Sequence, residues 1–158
     1  MNPTLSKLFT VFSRLALIGW LLLFFAPLTR SLFESIDISW LTINTTVSTI
    51  IIILCAAYAY TLFNKTLDQG EAAPKGSFSS LKGVISLFKH PRAVLTGWIH
   101  YLAFDLFVGL YILNHAQQFS INHLWLVPAL FFTLMLGPVG LLLYSVAGYI
   151  FISGFSLI

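Results

Sequence analysis

Four long apolar stretches constrain this sequence more than any other feature. They cover residues 8–28, 45–63, 94–114 and 124–144, and a helix needs about 20 apolar residues to cross the hydrocarbon core of a bilayer. Membrane barrel strands would instead alternate over about ten residues. Because only helices then satisfy their backbone hydrogen bonds in lipid, the sequence predicts an all-α, polytopic membrane protein. We expect a single transmembrane domain over 1–158, built as a four-helix bundle.

The composition indicates lipid as the main solvent. Apolar residues make up 58% of the chain and charged residues 8%, against about 45–50% and about 25% in soluble proteins. The net charge of +3 is too small, and too tied to loops, to suggest a nucleic-acid partner, so none is expected. The bilayer itself is the predicted partner. The single cysteine, Cys55, excludes an intrachain disulfide and a thiolate metal cluster.

The basic residues predict an orientation. The loop 64–92 carries five of them, whereas the connection around 115–123 carries none. Cytoplasmic loops are enriched in Lys and Arg, so we expect this loop and both termini to be cytoplasmic, in agreement with Lys7 and Arg14. Within the loop, apolar residues from Phe78 to Phe88 recur at helical spacing. This segment is either a short interfacial helix or an ordinary structured loop.

The last apolar stretch is too long for one straight span. It runs from residue 124 to 158, roughly 50 Å if fully helical. Gly137, Pro138 and Gly140 interrupt it, and a proline inside a helix removes a backbone hydrogen bond. A hairpin there would leave 124–136 too short to cross. We therefore expect a kinked last helix, followed by an interfacial or partly re-entrant tail over 145–158.

The sequence lacks the common cofactor and metal motifs. It has no histidine cluster of the membrane di-iron kind, no lysine within a span for a retinal Schiff base, and no P-loop or dinucleotide fingerprint. His115 and His123 are weak evidence for a metal site. We therefore expect neither a cofactor nor a metal.

Asp105 is the leading candidate for chemistry, because it is the only acidic residue inside a predicted span. A charge at the centre of a membrane helix costs about 2.5–3.5 kcal/mol, so such residues usually face the bundle interior and mark a site or a relay. The alternative is structural: a protonated Asp105 would hydrogen-bond a neighbouring helix. His100 lies in the same span but about 140° away around the helix. It either acts across an intervening substrate or helix, or is a packed histidine.

Several other residues are candidates for substrate binding. Trp98, Tyr101 and Gly109 share the helix face of Asp105, and Gly109 allows close approach by a helix or a flat ligand. The break at Pro138 and Gly140 exposes backbone polar groups that would suit a cavity. Kinking for packing alone is the alternative.

Two sequence blocks carry a family resemblance. The first is GWIHYLAFDLFVG at 97–109 and the second is LGPVGLLLY at 136–144. Together they resemble the signature of the abscisic-acid-deficient-4-like family. The plant member is associated with neoxanthin formation, the isomerisation of the epoxy-carotenoid violaxanthin to an allenic product. The resemblance implies a carotenoid or isoprenoid isomerase, with Asp105 and His100 as acid and base and a carotenoid-like partner.

The chain also departs from the family. Leu110 and Tyr111 stand where members often carry a basic residue. The lack of a transit-like extension leads us to expect the bacterial inner membrane rather than a plastid, so the plant substrate is not carried over. Two other functions stay open: a non-enzymatic lipid- or pigment-binding protein or assembly factor, and a small proton-linked transporter using Asp105. Four spans are few for a transporter unless the chain forms a homo-oligomer.

Overall fold

The structure, a computed structural model, describes residues 3–32, 40–68 and 76–157, without the side chains of 26–32. The described residues form five helices and no strand: α1 Pro3–Leu32, α2 Trp40–Phe63, α3 Leu81–Leu87, α4 Pro91–Gln118 and α5 His123–Phe151. A short 3₁₀ turn, Lys65–Asp68, follows α2. The helices α1, α2, α4 and α5 are long and apolar enough to cross a membrane, and the four predicted spans lie within them. The all-α membrane fold is thus confirmed; residues 69–75 of the predicted cytoplasmic loop lie outside the described residues.

Helix α4 is the centre of the bundle, and α1 runs parallel to it. Near the start of both helices, Trp98 Nε1 donates to Ser13 Oγ at 2.9 Å. Farther along, Trp20 lies against Gly109, where a methyl group would stand 2.7 Å from the indole ring. Small residues allow such close helix packing in membranes.

Helix α2 runs antiparallel to α4. At one end of the pair, Arg92 is buried and donates to Asp68 at 2.6 Å and to the carbonyls of Thr61 and Leu62. These carbonyls belong to the last turn of α2, where backbone acceptors lack a helical partner. At the other end, the side chains of Asn44 and Asn114 exchange hydrogen bonds of 2.9 Å. Polar contacts therefore fix both ends of the pair.

The loop segment before α4 contains a short helix. Ser80 caps α3 by accepting a hydrogen bond from the Gly83 backbone N–H, and none of the α3 residues is buried. The Phe88 ring packs against Gly97 of α4. The helical alternative for this segment is confirmed, while its place at the membrane interface stays a prediction.

Helix α5 turns back on itself halfway along. Its first half, residues 123–135, runs along α4 until Met135 reaches the Tyr101 hydroxyl and Gly137 reaches Asp105. The second half, residues 137–151, then brings the Tyr144 hydroxyl within 2.7 Å of His115 Nδ1. His115 lies about 15 Å farther along α4 than Asp105, so the chain must have reversed. A straight continuation would carry Tyr144 in the opposite direction.

The two halves of α5 pack tightly at Gly140. A methyl group there would stand 2.3 Å from the Thr133 nitrogen and 2.4 Å from the Ala129 oxygen. The predicted kink is confirmed, and it takes the form of a helical hairpin instead of a bend in a continuing helix. That α5 crosses the membrane stays a prediction. Its first half spans about 20 Å, which is shorter than a hydrocarbon core of roughly 30 Å.

Because of the hairpin, the last residues of α5 lie at the opposite end of the bundle from the first residues of α1. Pro3, Phe63 and Pro91 lie at one end of the bundle, and Phe151 lies at the other, beside the end of α4. The expectation that both termini face the cytoplasm stays a prediction. The cytoplasmic position of the loop 64–92 stays a prediction.

The residues after α5 fold back onto the bundle. Phe155 is buried against the rings of His115, Phe119 and Tyr144, with centroids 5.1–5.7 Å apart within this group, and the Tyr111 hydroxyl donates to the Leu157 carbonyl. This aromatic cluster holds the open ends of the hairpin against α4.

Candidate functional site

The site forms around a break in the backbone of α5. Leu136 has φ −150° and ψ 49°, which is outside the helical region. Pro138 follows and has no backbone N–H. A helix that ends and restarts leaves unpaired carbonyls on one side and unpaired N–H groups on the other. Because lipid offers no partners for them, side chains of the bundle must supply some.

Asp105 faces the restart of the helix. It lies near the middle of α4, is only 6% exposed, and interacts with the Gly137 backbone N–H. A methyl group on Gly137 would stand 2.0 Å from Asp105 Oδ1, so only glycine allows this approach. The other oxygen, Oδ2, is buried without a hydrogen-bond partner among the described residues. The carboxyl group also interacts with the side chain of Tyr101.

Tyr101 faces the helix end on the other side of the break. It lies one turn before Asp105, and its hydroxyl donates to the Met135 carbonyl at 2.5 Å. The Tyr101 ring stacks on Trp98 with centroids 5.6 Å apart, and Trp98 is itself fixed by its hydrogen bond to Ser13. Tyr101 and Asp105 therefore bind to the backbone on either side of Leu136, at Met135 and Gly137.

The surface beside the break is partly open. Trp98 is 37% exposed. Phe9, whose ring centroid lies 5.5 Å from that of Trp98, is 45% exposed. The residues at the turn of the hairpin, Met135 and Leu136, are also exposed. Because α5 turns back at this level, it does not cover the face of α4 that carries Trp98. The structure thus leaves an aromatic surface next to a buried carboxyl group.

His100 does not join Asp105. It is exposed and stacks on Phe104 with ring centroids 4.5 Å apart. It also meets the Tyr58 ring of α2 in a tilted arrangement, with centroids 5.3 Å apart. The two side chains leave α4 on different faces, as the helical wheel predicts, and the break in α5 lies on the Asp105 side. The structure therefore shows no direct contact between His100 and Asp105, and a joint role for the two stays a prediction.

The other predicted binding residues have mixed positions. Gly109 is buried beneath Trp20 of α1, so the close approach that the sequence predicts is made by a helix. Gly140 is buried inside the hairpin, and Pro138 is exposed at its turn. Of this group, Trp98, Tyr101 and Pro138 lie beside the open surface.

His115 of α4 and His123 of α5 are not part of a larger group of possible metal ligands among the described residues. His115 is buried and lies 2.7 Å from the Tyr144 hydroxyl, and His123 Nε2 lies 3.0 Å from the Phe24 carbonyl. The described residues contain no group of three or more His, Cys, Asp or Glu that could hold a metal.

Two contributors to the site were missed at the sequence level. They are the Met135 carbonyl and the Gly137 N–H, which are the backbone partners of Tyr101 and Asp105. The Gly137-Pro138 pair does indicate a break. No local pattern, however, predicts which side chains of another helix meet it.

Fold and site together define a small helical integral membrane protein with a carboxyl group at a backbone break inside the bundle. The family described as ABA DEFICIENT 4-like matches residues 7–144. The chain therefore belongs to this family, as the two sequence blocks predicted. No curated protein matches it, and no solved structure does.

Proposed function

We propose that this protein is a membrane enzyme that isomerises a carotenoid or a related isoprenoid, with proton transfer centred on Asp105. The observation that carries the proposal is the Asp105 carboxyl, buried in the middle of the bundle with Oδ2 unpartnered among the described residues. An unsatisfied buried polar group costs about 1–3 kcal/mol. Ionisable groups inside membrane proteins commonly mark a substrate site or a proton relay.

The chemistry needs only proton transfer at two positions. In an epoxide-to-allene isomerisation, a proton is added to the epoxide oxygen and the C–O bond opens. A proton leaves the adjacent carbon, and its electron pair completes the new double bond. Nothing is oxidised or reduced overall. A carboxyl group shielded from water is suited to such transfers, which typically contribute about 10²–10⁴-fold to a rate.

The surroundings of Asp105 suit a flat, apolar substrate. Trp98 and Tyr101 offer stacked rings on a half-open surface, and conjugated chains pack well on aromatic faces. A lipid-soluble substrate would reach this surface from within the bilayer. Membership of the ABA DEFICIENT 4-like family supports the carotenoid-related substrate class.

A second function has its own supporting observation. Asp105 and Tyr101 both satisfy backbone groups of α5, and this would account for them as structural residues. The protein would then bind a lipid or pigment without transforming it, or support the assembly of a partner. Asn at position 105 separates the two functions, because its amide oxygen still accepts from the Gly137 N–H but no longer transfers a proton.

The test is a pigment profile of cells that make epoxy-carotenoids. We expect the wild-type chain to yield a new isomer of unchanged mass, and Asp105→Asn to lower its amount by about 10²-fold or more at equal membrane abundance. Full activity of Asp105→Asn would assign the residue to the structure. A wild-type profile without a new isomer, with folded protein present, would overturn the epoxy-carotenoid reaction.

Asp68→Asn is the matched control. It also removes a buried carboxylate, but one that pairs with Arg92 at the end of the bundle. Breaking a buried ion pair is strongly destabilising. We therefore expect less folded protein and an unchanged amount of product per folded protein. Loss of product per folded protein in this variant would show that the assay reports stability rather than chemistry.

A further inference from the structure

The proposed isomerisation needs a second proton-transferring group, and the geometry points to Tyr101. We propose that Tyr101 is the acid that protonates the substrate oxygen, while Asp105 is the base that removes the carbon-bound proton. This inference rests on the proposed function. It replaces His100, which resemblance alone had placed in the pair, with a residue that meets the same break as Asp105.

The side chains of Tyr101 and Asp105 lie close together. Tyr101 and Asp105 are one helical turn apart on α4 and therefore lie on one face. The Tyr101 hydroxyl is 2.5 Å from the Met135 carbonyl, and Asp105 Oδ1 lies against Gly137. Because Met135 and Gly137 flank the same residue, both side chains end at one point of the bundle.

Tyr101 is more accessible to a substrate than Asp105. The Tyr101 side chain lies between the buried Asp105 and the open surface formed by Trp98 and Phe9. A substrate arriving over this surface meets the Tyr101 hydroxyl before the carboxyl group. Stacking on Trp98 and the bond to Met135 hold the phenol in one orientation, and such preorganisation is what acid catalysis requires.

The described neighbours of Tyr101 include few titratable side chains. The neighbouring helices bring Phe9, Ser13 and Met135 to Trp98 and Tyr101, and none of these side chains titrates. Residues 131–143 of α5 contain no titratable side chain. Asp105 is therefore the titratable neighbour of Tyr101 within the described site.

The proton balance closes within this pair. The Tyr101 O–H bond breaks and its proton goes to the substrate oxygen as the C–O bond opens. Asp105 Oδ2, which lacks a partner among the described residues, takes the proton from the adjacent carbon. Asp105 then passes this proton to the Tyr101 phenolate. The site returns to its starting state, and no oxidant or reductant is consumed.

The first test is Tyr101→Phe in the pigment assay, with Tyr60→Phe as the matched control. Tyr60 is exposed on α2, so the control removes a hydroxyl without touching the site. We expect Tyr101→Phe to lower product by about 10²-fold at equal abundance, and Tyr60→Phe to leave it unchanged. Product retained in Tyr101→Phe would overturn the assignment.

A second test separates catalysis from support of the Met135 carbonyl. A difluorotyrosine at position 101 keeps the hydrogen bond but makes the hydroxyl more acidic. We expect the pH profile of kcat to move with the fluorophenol, whereas a residue with only a structural role would leave the profile in place. An unmoved profile would contradict the proposal.

A third test does not depend on turnover. Infrared spectra of the purified protein in nanodiscs would assign the Asp105 carboxyl band by its loss in Asp105→Asn. We expect that band to shift in Tyr101→Phe and to stay in place in Tyr60→Phe. A band unaffected by Tyr101→Phe would overturn the pairing, whatever the protein does. A shifted band without any isomer would leave the pairing standing and reject the proposed function.

Discussion

At the scale of single residues, Gly137 decides how close the backbone comes to Asp105. Any side chain at this position must displace the carboxyl group, since a methyl carbon would stand 2.0 Å from Oδ1. The glycine is therefore part of the site, although it has no side chain to contribute. Gly97, on α4, offers a contrast, because a methyl group there meets only the edge of the Phe88 ring.

We expect Gly137→Ala to lower isomerase activity by about 10²-fold, since a displacement of 1 Å in a reacting group has effects of this size. The measurement is product formed per folded protein. Gly97→Ala is the control and should keep its activity, because the Phe88 ring can move aside. Equal activity in both variants would show that the position of Asp105 does not matter for turnover.

Sequence reasoning found some of these residues and missed their partners. Asp105 could be singled out because an acidic residue inside an apolar span is costly. The contacts of Tyr101 with Met135 and of Asp105 with Gly137 depend on where another helix breaks and at what depth. This information is spread over two helices that no local pattern links.

At the scale of helices, the hairpin of α5 depends on the packing at Gly140. The nearest atoms to a methyl group at this position include the backbone nitrogen of Thr133 and the backbone oxygen of Ala129. Backbone atoms inside a helix cannot move aside as a flexible side chain does. Gly19 of α1 differs, because a methyl group there meets the end of the Leu106 side chain.

We expect Gly140→Ala to destabilise the fold by about 1–3 kcal/mol, as overpacking in a well-packed interior does. Thermal unfolding in nanodiscs would measure this as a lower Tm. Gly19→Ala should cost less, because Leu106 can adopt another rotamer. If the two variants unfolded at the same temperature, the close approach of the two halves of α5 would be in doubt.

The kink in α5 was predictable, but the reversal was not. A proline after a glycine indicates where the helical hydrogen bonds are interrupted. The turning angle follows from what the second half packs against, and these partners include Ala129, Thr133 and His115. In the structure, the first half of α5 packs along α4, and the second half turns back beside it.

At the scale of the whole molecule, α1, α2 and α4 pass from one end of the bundle to the other, whereas α5 turns back halfway. Charge could not indicate this, because the sequence has no Lys or Arg after Arg92. The positive-inside rule therefore orients the first half of the chain and has nothing to act on in the second. Arg92 itself is buried in an ion pair with Asp68 rather than free in a loop.

The reversal of α5 brings a backbone break to Asp105, and sidedness tests it most directly. In a Cys55→Ser background, Ser79→Cys and Ser153→Cys would be labelled with a membrane-impermeant maleimide in vesicles of known orientation. Both positions are exposed in the structure. We predict that Ser79→Cys reacts from one side of the membrane and Ser153→Cys from the other. Labelling of both from the same side would mean that α5 crosses the bilayer, and the site at the break could not form as described.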